Sequence, residues 1–152
     1  MSSIAQQLYL RYTFGSAALE KLHFLVSISA RLYIAQVFFL AGLTKLRDWD
    51  TTLFLFEEEY QVPFISYELA AYLGTFGELF FPVLLALGLA SRFSALALSV
   101  VNIVAVVSLE EIAPAAYYLH VIWGVLLIQT VIYGSGILSV DHWLKQKLSK
   151  AF

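Results

Sequence analysis

Apolar residues fall into four long blocks, about 24–46, 69–90, 93–109 and 115–133, separated by short stretches that hold most of the charge. A helix rises about 1.5 Å per residue, so crossing the hydrocarbon of a bilayer takes on the order of 20 mostly apolar residues. The blocks meet or approach that length, and their few polar side chains recur at helical intervals rather than alternating as in a strand. The pattern predicts an all-α integral membrane protein, a four-helix transmembrane bundle forming a single domain over 1–152. Between the first two blocks, Asp48 or Asp50 can cap a short helix in which Trp49, Leu53, Phe56 and Tyr60 fall at helical spacing, with Glu57, Glu58 and Glu59 behind them. A helix of that kind lies along the bilayer surface. Val62-Pro63-Phe64 then breaks it, because the residue before a proline is pushed out of helical geometry. Gly134-Ser135-Gly136 ends the fourth block, and Ser139 or Asp141 can start a last amphipathic turn carrying Trp143 and Lys145. The first twenty-odd residues make a poor signal peptide, since their leading part lacks Lys and Arg and Gln6-Gln7 interrupts the apolar run. They are expected to be retained along the membrane surface.

Composition narrows the class. With 61% hydrophobic and 13% charged residues and a mean hydropathy of +0.80, a chain of 152 residues has too little polar surface to cover a water-soluble domain. The net charge of -2, with scattered cations, leaves no footprint for nucleic acid. Cysteine is absent and Met1 is the single methionine, which excludes thiolate chemistry, iron-sulfur ligation and thioether copper sites. In a four-span arrangement Arg11, Lys21, Arg92, Lys145, Lys147 and Lys150 share one side, and only Lys45 and Arg47 lie on the other. Cations hold loops in the cytoplasm, so both termini are expected inside. Asp48, Asp50, Glu57, Glu58, Glu59, Glu110 and Glu111 give the opposite face its acidic character.

An ionisable group inside a span costs on the order of 3 kcal/mol and needs a partner or a wet cavity. Four polar residues qualify as a buried core or ligand site: Arg31, Glu78, Asn102 and His120, with Lys45 and Pro82 in a second tier. Arg31 shares a stripe with Ser27, Ala35, Phe38, Gly42 and Lys45, and Glu78 shares one with Ala71, Gly74, Phe81 and Leu85. Pro82 has no N–H to give to the carbonyl of Glu78, which leaves that carbonyl to be satisfied by Arg31 or Asn102. Arg31 is long enough to reach toward Glu78. One reading makes this pair a structural clamp, and the other a polar pocket for a small ligand or a proton. His120 can donate to a quinone carbonyl or exchange a proton, or serve as a packing residue. His23 and His142 flank the membrane edge, so two axial haem ligands are not on offer within the spans. No catalytic residue, metal site or intrinsic cofactor is expected. A diffusible quinone is the one redox partner left open, since it needs an apolar slot and one or two donors such as His120 or Arg31. The Glu57-Glu58-Glu59 run suits a solvated face better than a docking site.

The run from Arg31-Leu32 through Ala41-Gly42-Leu43-Thr44-Lys45, then Val62-Pro63-Phe64, Glu78, Leu87-Gly88-Leu89-Ala90-Ser91-Arg92 and the closing Gly134-Ser135-Gly136-Ile137-Leu138-Ser139-Val140-Asp141 resembles the DoxX family over about 28–143. Ser135 stands where the family usually has proline. The resemblance implies a small bacterial or archaeal four-helix protein of the cytoplasmic (inner) membrane, in a family named for a subunit of a thiosulfate:quinone oxidoreductase. Other members are similar to membrane components of oxidative-stress or metal-homeostasis complexes. It implies a non-catalytic subunit or anchor of a quinone-linked or other redox or stress-related complex, with protein partners in the membrane and no turnover of its own. A scaffold with a purely structural polar core and a small transporter or proton path stand as alternatives.

Overall fold

The computed structural model describes residues 3–20 and 22–150, which form seven helices and no strand. They are α1 (Ile4–Glu20), α2 (His23–Arg47), α3 (Trp49–Glu58), α4 (Tyr67–Leu87), α5 (Ser91–Val107), α6 (Pro114–Tyr133) and α7 (Val140–Leu148). Three of them, α2, α4 and α6, are long and apolar enough to cross a membrane, while α5 is apolar with 17 residues. The four apolar blocks of the sequence correspond to α2, α4, α5 and α6 within a few residues.

These four helices close a ring in which α2 packs on α4, α4 on α5, α5 on α6 and α6 on α2, and α3 folds back against α4 and α2. Inside the ring Ile34, Phe38, Leu85, Ala95, Leu98 and Leu127 form the core, and a second cluster of Phe56, Ala70 and Ala71 joins α3 to α4. Outside it, Leu73, Phe76, Val100, Val107, Val125 and Ile128 are each about half exposed or more. An apolar exterior this continuous belongs against hydrocarbon. Helix α1 is exposed along nearly its whole length.

Local chemistry sets the corners. Asp48 caps α3 by accepting from Thr51 N–H at 3.0 Å, and Ser66 and Ser139 cap α4 and α7 in the same way. Glycine ends α4, because Gly88 has φ +70 and a Cβ there would lie 2.5 Å from Ser139 Cβ and 2.8 Å from Arg31 Nη1. Helix α5 starts after Ala90 in left-handed geometry, with no cap from its own flank. The cap comes from α7: Asp141 accepts from Ala90 N–H at 2.7 Å, Ser91 N–H at 2.8 Å and the Ser91 hydroxyl at 2.7 Å.

Candidate functional site

The close approach of α2 and α4 begins at Gly42, where a Cβ would stand 2.8 Å from Leu79 Cγ and 3.1 Å from Glu78 Cβ. One turn further along α2, Lys45 Nζ meets Glu78 Oε2 at 2.5 Å, and the pair is largely shielded from the exterior. The Lys45 carbonyl accepts from the Thr52 hydroxyl at 2.9 Å, which fastens α3 over the pair. Beyond α3, Gln61 N–H donates to Ser108 O at 2.7 Å, and Tyr60 bridges to Leu109, so the segment from Tyr60 to Ile65 is held over the end of α5. Beneath it lies a cavity of about 410 Å³, its walls formed by Phe56 of α3, Leu73 and Gly74 of α4 and Val101 and Val104 of α5. Lys45, Glu78 and Tyr60 are the polar and ionisable side chains on its wall, apart from Ser108. Burial pushes the Tyr60 hydroxyl pKa up, and the charges of Glu59 and Glu78 push it further, so the phenol stays protonated and can donate. One turn before Glu78, the hydroxyl of Thr75 is buried with no hydrogen-bond partner.

A second polar pair joins α5 to α6. The Asn102 amide N–H donates to the His120 carbonyl at 2.9 Å, which turns Asn102 Oδ1 toward His120 Nδ1 at 2.8 Å. That orientation makes Nδ1 the protonated nitrogen of the neutral ring. The imidazole also meets the Trp123 ring edge-on at 4.8 Å, and Trp123 Nε1 donates to Tyr33 Oη at 3.2 Å. Asn102 therefore belongs to His120 and leaves the Glu78 carbonyl freed by Pro82 to other donors.

Arg31 takes a different place from the one expected of it. Its Nη1 donates to Ser135 O at 2.8 Å and its Nη2 to Leu138 O at 3.0 Å, so it holds the closing turn and does not pair with Glu78. The reason is register: α2 and α4 run antiparallel, and Gly42 already lies level with Glu78. Eleven residues of helix separate Arg31 from Gly42, about 16 Å at the helical rise, which exceeds the reach of the side chain. Lys45, placed in the second tier by sequence, is the true partner of Glu78. Among the described residues, no three of His, Asp and Glu come together as a metal site.

The DoxX family model matches residues 26–111, more than half of the chain. This chain belongs to the DoxX family. It is also 31% identical over 125 residues to an uncharacterized protein of Haemophilus influenzae, a match covering 76% of this chain and 81% of that relative. No solved structure matches it. The DoxX match contains Arg31, Lys45, Glu78, Pro82 and Asn102, and it includes the whole polypeptide of α3 and its roof over the cavity. His120 and the closing turn lie beyond it. Sequence reasoning placed Tyr60 only on one face of a surface helix, and gave Thr75 no role. The signal for Tyr60 was its position one turn after Phe56, on the face that α3 turns toward α4.

Proposed function

We propose that this DoxX protein is a non-catalytic subunit of a redox complex in the bacterial cytoplasmic membrane, and that it holds a quinone-like carrier in the cavity beneath α3. The observation that carries this is the apolar 410 Å³ cavity with Lys45, Glu78 and Tyr60 on its wall. Its size suits a small ring ligand, and its few polar groups suit a carbonyl. Lys45 has three N–H donors, of which Glu78 takes one, and the protonated Tyr60 supplies another. The Nη1 and Nη2 of Arg31 are bonded to the closing turn and the Nδ1 of His120 to Asn102, both away from this cavity, so the donor role passes to Lys45 and Tyr60.

The membrane arrangement we favour is a four-span bundle with both termini inside and α3 at the outer interface. A crossing role for α5 is supported by its ends: Arg92 donates to Ile132 O at the end of α6, and Ser108 accepts from Gln61 at the start of the α4 side. At about 1.5 Å per residue its 17 residues span roughly 25 Å, near the lower limit for crossing.

The test is binding of a short-chain ubiquinone to the purified chain, read as thermal stabilisation in detergent. Gly74→Leu fills the cavity beside Phe56 and should abolish the effect, while His120→Ala should leave it. If the native chain binds no quinone, or if His120→Ala rather than Gly74→Leu removes binding, the reading is wrong. The isolated chain should reduce no quinone from thiosulfate or a nicotinamide cofactor until a soluble partner is added. A scaffold role has its own support, because the Lys45–Glu78 pair also fixes the register of α2 on α4; a Gly74→Leu chain that assembles normally but loses redox activity in cells would count against it.

A further inference from the structure

We propose that the groove between the start of α5 and the closing turn after α6 binds the phosphate of an anionic phospholipid. This rests on the reading that α5 and α6 cross the membrane, which sets the groove at the level of lipid headgroups, and it is independent of what fills the cavity beneath α3.

The groove has a volume of about 670 Å³ and brings together Arg92 and Lys145. Its one carboxylate, Asp141, has both oxygens committed to the start of α5 and so leaves the cations unanswered. Among the described residues the single salt bridge is Lys45 with Glu78, which leaves neither Arg92 nor Lys145 with a carboxylate partner. Arg92 is not a loose surface side chain. Its guanidinium lies over Gly134, where a Cβ would come within 3.5 Å of Nε, and its Nη2 donates to Ile132 O at 3.2 Å. The rest of its fork remains available, and a planar guanidinium fork matches phosphate oxygens.

The walls favour a lipid over a soluble anion. Phe93, Tyr133 and Ile137 line the same groove and are more than half exposed, which places apolar surface for an acyl chain directly beside the cations. Basic grooves between membrane helices at a headgroup surface recognise acidic lipids by this combination. An acidic segment of a soluble partner would answer the charge but not the apolar flank.

The experiment measures thermal stability of the full chain in detergent with added phosphatidylglycerol, phosphatidylcholine of the same acyl chains, or inorganic phosphate. Phosphatidylglycerol should stabilise it, and the other two should not. Lys145→Gln should weaken the apparent affinity for phosphatidylglycerol about fivefold, as expected for one cation at the lipid surface. Arg92→Gln should weaken it at least as much. Lys147→Gln removes a cation that stacks on Trp143 outside the groove, and it should leave the preference intact. Because Arg92 also braces α6, Lys145→Gln decides the matter if Arg92→Gln is unstable without lipid. Equal responses to the two lipids, reproduction of the effect by inorganic phosphate, or a full preference retained in Lys145→Gln would each overturn the proposal.

Discussion

At Gly42 the absence of a side chain sets how near α2 comes to α4, since a Cβ there would fall 2.8 Å from Leu79 Cγ. Gly42→Ala should therefore lower stability by about 1–3 kcal/mol, the usual cost of overpacking, with a fall in melting temperature as the readout. That approach brings Lys45 to Glu78, and removing either partner leaves a charge unpaired in a dry setting. Lys45→Met or Glu78→Gln alone should cost roughly 3–5 kcal/mol, and the double replacement clearly less than the sum. Simple additivity in that double-mutant cycle would show that the two groups do not interact. The stripe carrying Gly42 and Lys45 was legible in the sequence. Its pairing with Glu78 was not, because a stripe says which face a residue occupies and nothing about the height at which the neighbouring helix meets it.

At the scale of elements, α7 and the turn before it complete a corner that α4 and α5 leave open. Gly134-Ser135-Gly136 was readable as a helix stop, and Ser139 as a cap. That Asp141 would cap α5, fifty residues earlier in the chain, has no local signature. Burial works to raise the Asp141 pKa, but hydrogen bonds from Ser91 and Ala90 and the charge of Arg31 outweigh it and leave the carboxyl below its ordinary value. A depressed pKa stabilises the folded chain fully above the unfolded value, near pH 4, and that contribution is lost as pH falls through the native one. The native chain should therefore lose stability as the pH falls below about 4, and Asp141→Asn should flatten this part of the pH dependence. Unchanged acid dependence in Asp141→Asn, followed by circular dichroism, would remove Asp141 from the account. Asp141→Ala, which deletes the cap, should cost about 0.5–2 kcal/mol at neutral pH.

Across the whole molecule the charges separate by end. Arg92 at the start of α5 and Lys145 and Lys147 in the last turn of α7 mark one end, while Asp48, Asp50, Glu57, Glu58, Glu59, Glu110 and Glu111 gather around α3 and the link from α5 to α6 with only Lys45 and Arg47 among them. The cationic end should face the cytoplasm. Because the chain has no cysteine, single cysteines at Glu58, Glu111 and Ser149 can report this directly. An impermeant reagent applied to intact cells should label the first two and spare Ser149. Labelling at Ser149, or protection of both Glu58 and Glu111, would reverse or refute the arrangement.

The four apolar helices, their order and their apolar exterior were readable from the sequence, though the helix α1 was not, because helical hydrogen bonds close within each apolar segment and hydrocarbon demands that they do. The sequence also determined the corners that depend on a local residue, such as the Asp48 cap and the break at Val62-Pro63-Phe64. Which charges meet was settled by packing. Lys45 rather than Arg31 answers Glu78, Arg31 braces the closing turn, and Asn102 turns to His120. Packing also decided that α3 and its following loop roof a cavity. These outcomes depend on the antiparallel register of packed helices, which is set by the close approach of residues such as Gly42 and Leu79 across the interface, and periodicity along the sequence carries no measure of that distance.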